Sequence, residues 1–184
     1  CLANSTISIT VVPNPTIAVS SVSICPQGFG VLAPTGASTY TWYSSSSSSV
    51  STNFGDNPAS TTQYTVIGSA LSCSASATAS IVLYSPPIAG IQTSSPICLG
   101  GNLIISGTGG TSYQWTGPSV FSSAATSNTL SNLTALQAGV YNATVTSANG
   151  CTATAVHTVV VNTPPVIAAI GSTVCTSQTI SLNA

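Results

Sequence analysis

The sequence predicts an all-β fold made of tandem sandwich repeats, on three observations. Segments rich in Val, Ile, Thr and Tyr alternate with clusters of Gly, Pro, Asn and Ser, which is typical of short strands joined by turns. No stretch keeps an apolar period of 3.6 residues, so no long helix is expected. Six cysteines and two tryptophans recur at nearly constant spacing along the 184 residues. Such internal repetition indicates one structural unit copied along the chain.

The cysteines fall into two alternating classes. The early class is Cys25, Cys98 and Cys175, and the late class is Cys1, Cys73 and Cys151. Within each class the spacing is nearly constant, at about 75 residues, which is the period of the repeat. Every late cysteine opens a segment of similar length that ends in proline, at Pro15, Pro87 and Pro165. The two classes therefore mark equivalent points in successive repeats.

Aromatic residues keep the same register. A Tyr-x-Trp triplet follows Cys25 and Cys98 at the same offset, which places Trp42 and Trp115 at matching positions. Tyr64 and Tyr141 precede the next late cysteine at nearly equal offsets. About seven short strands with a Trp and a late Tyr are typical of an immunoglobulin-like sandwich.

We therefore predict tandem immunoglobulin-like β-sandwich repeats of about 75 residues, each with one disulfide. The predicted core residues are Trp42, Trp115, Tyr64 and Tyr141. Sugar stacking on the tryptophans is the alternative, but their fixed offset from cysteine favours core packing.

Proline pairs mark the expected repeat boundaries. Residues 1–15 are predicted to be the C-terminal strand of a preceding repeat, residues 16–87 and 88–165 two whole repeats, and residues 166–184 the start of a following repeat. Proline fixes φ and holds its predecessor in an extended conformation, so the links are expected to be short and stiff.

Glycine, asparagine and serine predict the turns. Asn149–Gly150 is a type I′ hairpin signal, whereas 68–72 is expected to be a longer, looser loop at the same place in the first repeat. The glycine-rich run 107–110 is interpreted as a turn, because a phosphate loop would need a following Lys and helix. The six serines of 44–49 are expected to form an exposed variable loop.

The near absence of charge excludes several functions. The chain has no Lys or Arg and one acidic residue, Asp56, so neither a nucleic-acid footprint nor a polybasic membrane face is available. One acid cannot form a catalytic carboxylate pair. No apolar run is long enough for a spanning helix, so direct membrane insertion is not expected. We expect no enzyme activity, no cofactor and no metal.

Two lone polar residues are candidates for functional sites. His157 is the only imidazole, and without a second ligand it is interpreted as a strand residue with its ring at the surface. Asp56 lies in a turn-rich run, so turn capping is favoured over catalysis.

The cysteines indicate an oxidising compartment, because a reducing cytosol does not keep structural disulfides. Repeat equivalence favours one bridge inside each complete repeat, Cys25 with Cys73 and Cys98 with Cys151, near one end of the sandwich. Cys1 and Cys175 would then pair outside these residues. Buried free thiols are the alternative.

The stretch Ala138-Gly139-Val140-Tyr141 to Asn149-Gly150-Cys151 resembles the Ig-like and PKD-like repeats of very large surface proteins in Bacteroidota. Many of these are gliding-motility or adhesion proteins exported by the type IX pathway. The resemblance implies a secreted, cell-surface location and a role in adhesion or filaments. Relatives often carry several Asp in their loops, whereas Asp56 is the only acidic residue of this chain, so calcium binding is not implied.

The predicted function is a structural or adhesive segment that forms an elongated shaft of a very large secreted adhesin or filament. Its partners would be neighbouring repeats of the same chain, with surface glycans or other cell-surface proteins as further partners. The alternative is a carbohydrate-binding or accessory module of a secreted enzyme. Two or more exposed aromatic residues in a concave patch would favour that alternative, and buried Trp rings would favour the shaft.

Overall fold

The computed structural model describes residues 7–44 and 48–166, and these form strands, turns and one short 3-10 helix. We call the strands around the first buried core the first unit: β1 (Val22–Ile24), β2 (Gly30–Leu32), β3 (Thr39–Tyr43), β4 (Ser48–Val50), β5 (Phe54–Asp56), β6 (Thr62–Ala70) and β7 (Cys73–Leu83).

The second unit surrounds another core. Its strands are β8 (Gly90–Thr93), β9 (Ile97–Cys98), β10 (Leu103–Thr108), β11 (Ser112–Gly117), β12 (Phe121–Ser123), β13 (Ser127–Leu130), β14 (Gly139–Thr146), β15 (Thr152–Val159) and β16 (Val161–Asn162). The 3-10 helix Ala135–Gln137 precedes β14. The predicted absence of a long helix is thus met throughout the described residues.

In the first unit a five-stranded sheet, in the order β1-β7-β6-β3-β4, packs against the two-stranded sheet β2-β5. β1 runs parallel to the end of β7, and the other pairs are antiparallel. Side chains alternate across each strand, so every second residue of β6 faces the core. The buried core is Leu32, Tyr40, Trp42, Tyr64, Val66, Ala79 and Ile81.

In the second unit the sheet β12-β11-β14-β15 packs against the sheet β13-β10-β8, and β9 and β16 form a parallel pair. The pattern Tyr141-x-Ala143-x-Val145 places three apolar side chains of β14 in the core. The buried core is Leu103, Ile105, Tyr113, Trp115, Leu133, Tyr141, Ala143, Val145 and Val159. Both cores lie inside the expected whole repeats, while the exact boundaries stay a prediction.

The two hairpins before the late cysteines differ from the sequence prediction. β6 continues through Ala70, and a two-residue turn follows, in which Leu71 and Ser72 have φ of 48° and 68°. Positive φ at both central residues is the type I′ pattern, so the predicted loose loop is wrong. In the second unit Gly150 has a φ of 80°, while Asn149 is not in the left-handed region. The predicted type I′ turn at Asn149–Gly150 is therefore also wrong.

The second hairpin closes instead over three residues. The Ser147 N–H donates to the Cys151 carbonyl at 2.9 Å, and the Gly150 N–H donates to the Ser147 carbonyl at 3.0 Å. This is a type I turn followed by a left-handed glycine, which is the next most common hairpin connection. An Asn-Gly pair suits both arrangements, so the dipeptide alone could not distinguish them.

The remaining turns follow the prediction in part. The run 107–110 ends β10 and begins the turn to β11, and Gly109 has a φ of 97°. A Cβ on Gly109 would overlap the Ile88 carbonyl oxygen. In the serine run, Ser48 and Ser49 are exposed but belong to β4, which pairs with β3. The expected loop therefore ends earlier than predicted, and residues 45–47 of it lie outside the described residues.

Candidate functional site: a disulfide between the two units

One disulfide joins the first unit to the second. Cys25 and Cys151 have their sulfur atoms 2.04 Å apart and their Cα atoms 5.4 Å apart, at a sequence separation of 126. Among the described residues, Cys73 and Cys98 form no disulfide. The predicted pairs Cys25–Cys73 and Cys98–Cys151 are therefore wrong, and so is the prediction of one disulfide inside each repeat. The expected outside pairing of Cys1 and Cys175 concerns positions that lie outside the described residues.

Strand length explains why Cys25 does not reach Cys73. Cys25 follows β1, whose Ile24 is paired with Leu83 at the end of β7, whereas Cys73 is the first residue of β7. The 11 residues of β7 span about 33 Å. A disulfide requires Cα atoms within about 7 Å. The two cysteines of the first unit thus lie at opposite ends of one strand.

The second unit repeats this separation. Cys98 is paired with Asn162 in β16, whereas Cys151 immediately precedes β15. The extended run from Cys151 to Asn162 covers about 35 Å. The prediction of a bridge near one end of each sandwich is therefore wrong as well, because each unit has one cysteine at either end.

Cys25 and Cys151 meet because both lie at the junction. β7 ends at Leu83, and the linker 84–89 with its two prolines leads to β8. Register places the start of β8 beside Thr108, and Ser112 beside Thr146, so the β14–β15 hairpin is at the linker end of the second unit. Cys151 follows that hairpin and is 1% exposed.

A short turn orients Cys25. The Gly28 N–H donates to the Cys25 carbonyl at 2.9 Å, and Gln27 between them has a φ of 65°. A Cβ on Gly28 would lie 2.8 Å from the Cys25 carbonyl oxygen, so a larger residue there would force the turn open. The sequence signal for this turn is the Cys-x-x-Gly spacing, which is present at both Cys25 and Cys98.

The junction has two covalent connections, the linker and the disulfide. Because the linker contains Pro86 and Pro87, its backbone is restricted to extended conformations. The disulfide fixes a second point, between the end of β1 and the start of β15. Two attachments remove much of the hinge freedom that a single linker would leave.

Both tryptophans lie in the cores and none of their ring surface is exposed. The Trp42 Nε1–H donates to the Ser51 carbonyl at 3.1 Å, and the Trp115 Nε1–H donates to the Ala125 carbonyl at 2.9 Å. Each ring is therefore buried with its one polar group satisfied. Neither is available to stack on a sugar.

Asp56 contacts the core tyrosine of the first unit. The Tyr64 hydroxyl donates to Asp56 Oδ2 at 2.6 Å, and the Asn57 N–H donates to Oδ1 at 2.8 Å. Burial, and next the hydrogen bond and negative charge of Asp56, raise the pKa of Tyr64 to about 12. Asp56 is the last residue of β5, so the predicted turn capping is not observed. Its carboxylate accepts from the first backbone N–H after the strand and anchors Tyr64, which the sequence did not reveal.

His157 lies on β15 opposite Tyr141 and is half-buried on the core-facing side of the strand. The prediction of a ring at the surface is thus only partly right. Within the part of the chain that the structure describes, no three His, Cys, Asp or Glu residues come together as metal ligands would. A helix long and apolar enough to cross a membrane is not found in that part either.

Comparison with known proteins adds evidence on the fold. No protein-family model matches the sequence, and no curated protein matches it either. Among solved structures, the chain is similar to the three N-terminal domains of the highly immunogenic outer capsid protein of bacteriophage RB49, with a TM-score of 0.50 and 16% identity. That match covers 80% of this chain and 59% of the phage chain.

Two further similarities are to an I-band fragment of titin and to an amphioxus IgVJ-C2 molecule. The titin match has a TM-score of 0.46 and 15% identity over 84% of this chain and 68% of the other. The amphioxus match has a TM-score of 0.38 and 13% identity over 75% and 99%. At such identities the likeness concerns the fold alone. The chain is an all-β protein with an immunoglobulin-like architecture, as predicted.

Proposed function

We propose that these residues form a stiff, elongated shaft segment of a very large secreted cell-surface adhesin or filament. The observation that carries the proposal is the Cys25–Cys151 disulfide, which links two sandwich units across their joint. A flexible tether would need neither this bond nor the prolines of the linker. Successive units arranged in this way would keep their direction from one joint to the next.

The disulfide also gives a direct route for tension. It encloses residues 25–151, which include every core residue of the first unit and all but Val159 of the second. Force applied at the two ends passes through the sulfur–sulfur bond and not through the enclosed chain. The two sandwiches would therefore stay largely unextended under load while the bond is intact. This property suits a shaft better than a soluble binding module.

Secretion fits the same chemistry, because the disulfide would be reduced in an ordinary cytosol. The predicted boundaries, at residues 15, 87 and 165, fit units whose linkers contain proline. Neighbouring units are the first partners, and surface glycans or other cell-surface proteins are the targets at the ends of such a shaft. Export by the type IX pathway and a Bacteroidota origin rest on the sequence resemblance alone.

The carbohydrate-binding alternative has less support. Both tryptophans are fully buried, so the residues with the largest stacking surface are not accessible. The most exposed aromatic side chains are Phe29, which is 67% exposed, and Tyr43, which is 43% exposed. Phe29 lies beside the β2–β5 sheet and Tyr43 on the five-stranded sheet, so they do not form one platform.

The test measures the stiffness of the joint. One fluorophore is placed in each unit, at Thr78 and at Thr116, which are exposed strand residues. Single-molecule energy transfer should give one narrow distance distribution in the wild type and a broader one in Cys25→Ser/Cys151→Ser. Cys73→Ser/Cys98→Ser is the matched control, since it removes two cysteines but keeps the joint. Equal widths with and without the joint disulfide would contradict the proposal.

A further inference from the structure

Cys98 has the same local structure as Cys25, and Cys73 has the same local structure as Cys151, although Cys73 and Cys98 form no disulfide. The turn of Cys25 recurs at Cys98: the Gly101 N–H donates to the Cys98 carbonyl at 2.9 Å, and Gly100 has a φ of 79°. Cys98 ends, and Cys25 directly follows, a short strand that pairs in parallel with the last strand of its unit. Cys98 is exposed, so its turn presents an accessible sulfur at the far end of the second unit.

Cys73 matches Cys151. Each follows a hairpin: Cys73 is the first residue of β7, and Cys151 directly precedes β15. The Cys73 thiol also contacts a preceding segment, because it donates to the Val12 carbonyl at 3.6 Å. Val12 lies as far after Cys1 as Tyr84 lies after Cys73.

Tyr84 is the residue that corresponds to Val12 at the joint closed by the disulfide. Its N–H donates to the Ile24 carbonyl at 2.9 Å, directly before Cys25. The strand end that carries Tyr84 is therefore the neighbour of the early cysteine. Val12, at the corresponding sequence position, brings the equivalent segment of the chain next to Cys73. Cys73 thus faces the position where an early cysteine of another repeat would lie.

We propose that Cys98 and Cys73 are the two halves of a joint identical to that of Cys25 and Cys151, and that each takes another repeat of this kind as its covalent partner. The occupant is a second copy of the same unit, arranged head to tail. Inside one chain the two halves cannot meet, because they lie at the outer ends of the two units. Every joint between such repeats would then carry its own disulfide. This inference rests on the proposed shaft function and specifies how each repeat of the shaft is joined to the next.

Bond formation is an ordinary thiol–disulfide exchange with a low-molecular-weight disulfide such as oxidised glutathione. The Cys98 thiolate attacks a glutathione sulfur, forms a mixed disulfide and releases one glutathione thiolate. The Cys73 thiolate of the second copy then attacks the Cys98 sulfur and releases the other. Two chain thiols are oxidised, one glutathione disulfide is reduced to two thiols, and both chain protons pass to the released glutathione or to solvent.

The test joins two copies in register. Residues 1–165 are fused directly to residues 16–184, so that Pro165 precedes Thr16 as Pro87 precedes Ile88. Cys1→Ser and Cys175→Ser remove the remaining cysteines. After refolding in a glutathione buffer, peptide mass mapping should find a Cys25–Cys151 disulfide in each copy and a third between Cys98 of the first copy and Cys73 of the second. Titratable thiols should fall from four to two per fused chain.

Two controls make the outcome decisive. Cys98→Ser in the first copy should abolish the third bond and leave both Cys25–Cys151 bonds, which themselves report correct folding. If both of these bonds form while Cys98 and Cys73 stay reduced or pair with each other within one copy, the proposal is overturned. The distance measurement on the single chain is unaffected by that result, so the stiff joint would still stand.

Unfused chains decide the matter if the fusion does not fold. Cys73→Ser and Cys98→Ser chains, both carrying Cys1→Ser and Cys175→Ser, are oxidised alone and as an equal mixture. The proposal predicts a Cys98–Cys73 heterodimer in the mixture and several-fold less dimer from either chain alone. Symmetric Cys73–Cys73 or Cys98–Cys98 dimers in equal yield would contradict it.

Discussion

The two units bury their aromatic rings at matching core positions, but one of the polar contacts of these rings differs between them. In both, the tryptophan Nε1–H reaches a backbone carbonyl nine or ten residues later, and the first tyrosine of the Tyr-x-Trp triplet donates to a carbonyl three residues earlier. The late tyrosines differ. Tyr141 donates to the Gln137 carbonyl at 3.0 Å, which is the tyrosine-corner arrangement, whereas Tyr64 donates to the Asp56 carboxylate at 2.6 Å.

This difference shows which features the fold requires. A buried tyrosine must find an acceptor, because an unsatisfied buried hydroxyl is costly. The second unit supplies a backbone oxygen from the 3-10 helix before β14, and the first unit supplies the only acidic side chain of the sequence. Ring position is therefore shared, while the source of the acceptor is free to vary.

Replacing the tryptophans tests the core position that both units share, and it should have the largest effect on stability. Trp42→Ala and Trp115→Ala should each cost about 3–5 kcal/mol of unfolding free energy, because each ring fills the centre of a core. Denaturant unfolding, followed by circular dichroism, measures this loss. In each variant the remaining tryptophan reports the other unit by fluorescence, and its transition should shift far less.

Tyr43→Ala is the matched control for Trp42→Ala, since Tyr43 lies on the same strand but is 43% exposed. It should change the unfolding free energy by well under half as much. Equal losses from Tyr43→Ala and Trp42→Ala would mean that the tryptophan is not the centre of the first core.

Because the two late tyrosines have different acceptors, the stability of the two units should respond differently to alkaline pH. The pKa of Tyr64 is raised from 10.0 to about 12, so the folded state favours the neutral phenol. The folding stability that this preference contributes is fully present below about pH 10 and is lost as the pH rises towards 12. Tyr64→Phe should remove this part of the alkaline loss, and Asp56→Asn should shrink it, because the desolvation of Tyr64 remains.

Tyr141→Phe provides the comparison, because burial alone raises the pKa of Tyr141. At neutral pH, Tyr64→Phe should cost more than Tyr141→Phe, about 2 against about 1 kcal/mol, because a bond to a charged acceptor is the stronger one. Urea unfolding at several pH values measures both effects. An Asp56→Asn chain with the full wild-type alkaline loss would show that the carboxylate does not hold Tyr64.

The cores could be predicted from the sequence, and the joint could not. The Trp and Tyr core positions follow from repeated spacing, because a ring buried at the same place in each repeat recurs at nearly the same offset in the sequence. The cysteines also repeat, but repetition shows only that Cys25 matches Cys98 and that Cys73 matches Cys151. It does not show which end of a strand each occupies. The contact between Asp56 and Tyr64 has no counterpart in the second unit, so no comparison of repeats could reveal it.

Pulling on the ends of a single chain tests the central claim most directly. With the Cys25–Cys151 bond intact, the chain between the two cysteines, a sequence separation of 126, cannot add to the extended length. Reduction, or the Cys25→Ser/Cys151→Ser variant, should release it as additional contour length of about 420–450 Å. Cys73→Ser/Cys98→Ser chains should behave as wild type. The account would be contradicted if oxidised wild-type chains already showed this full length gain.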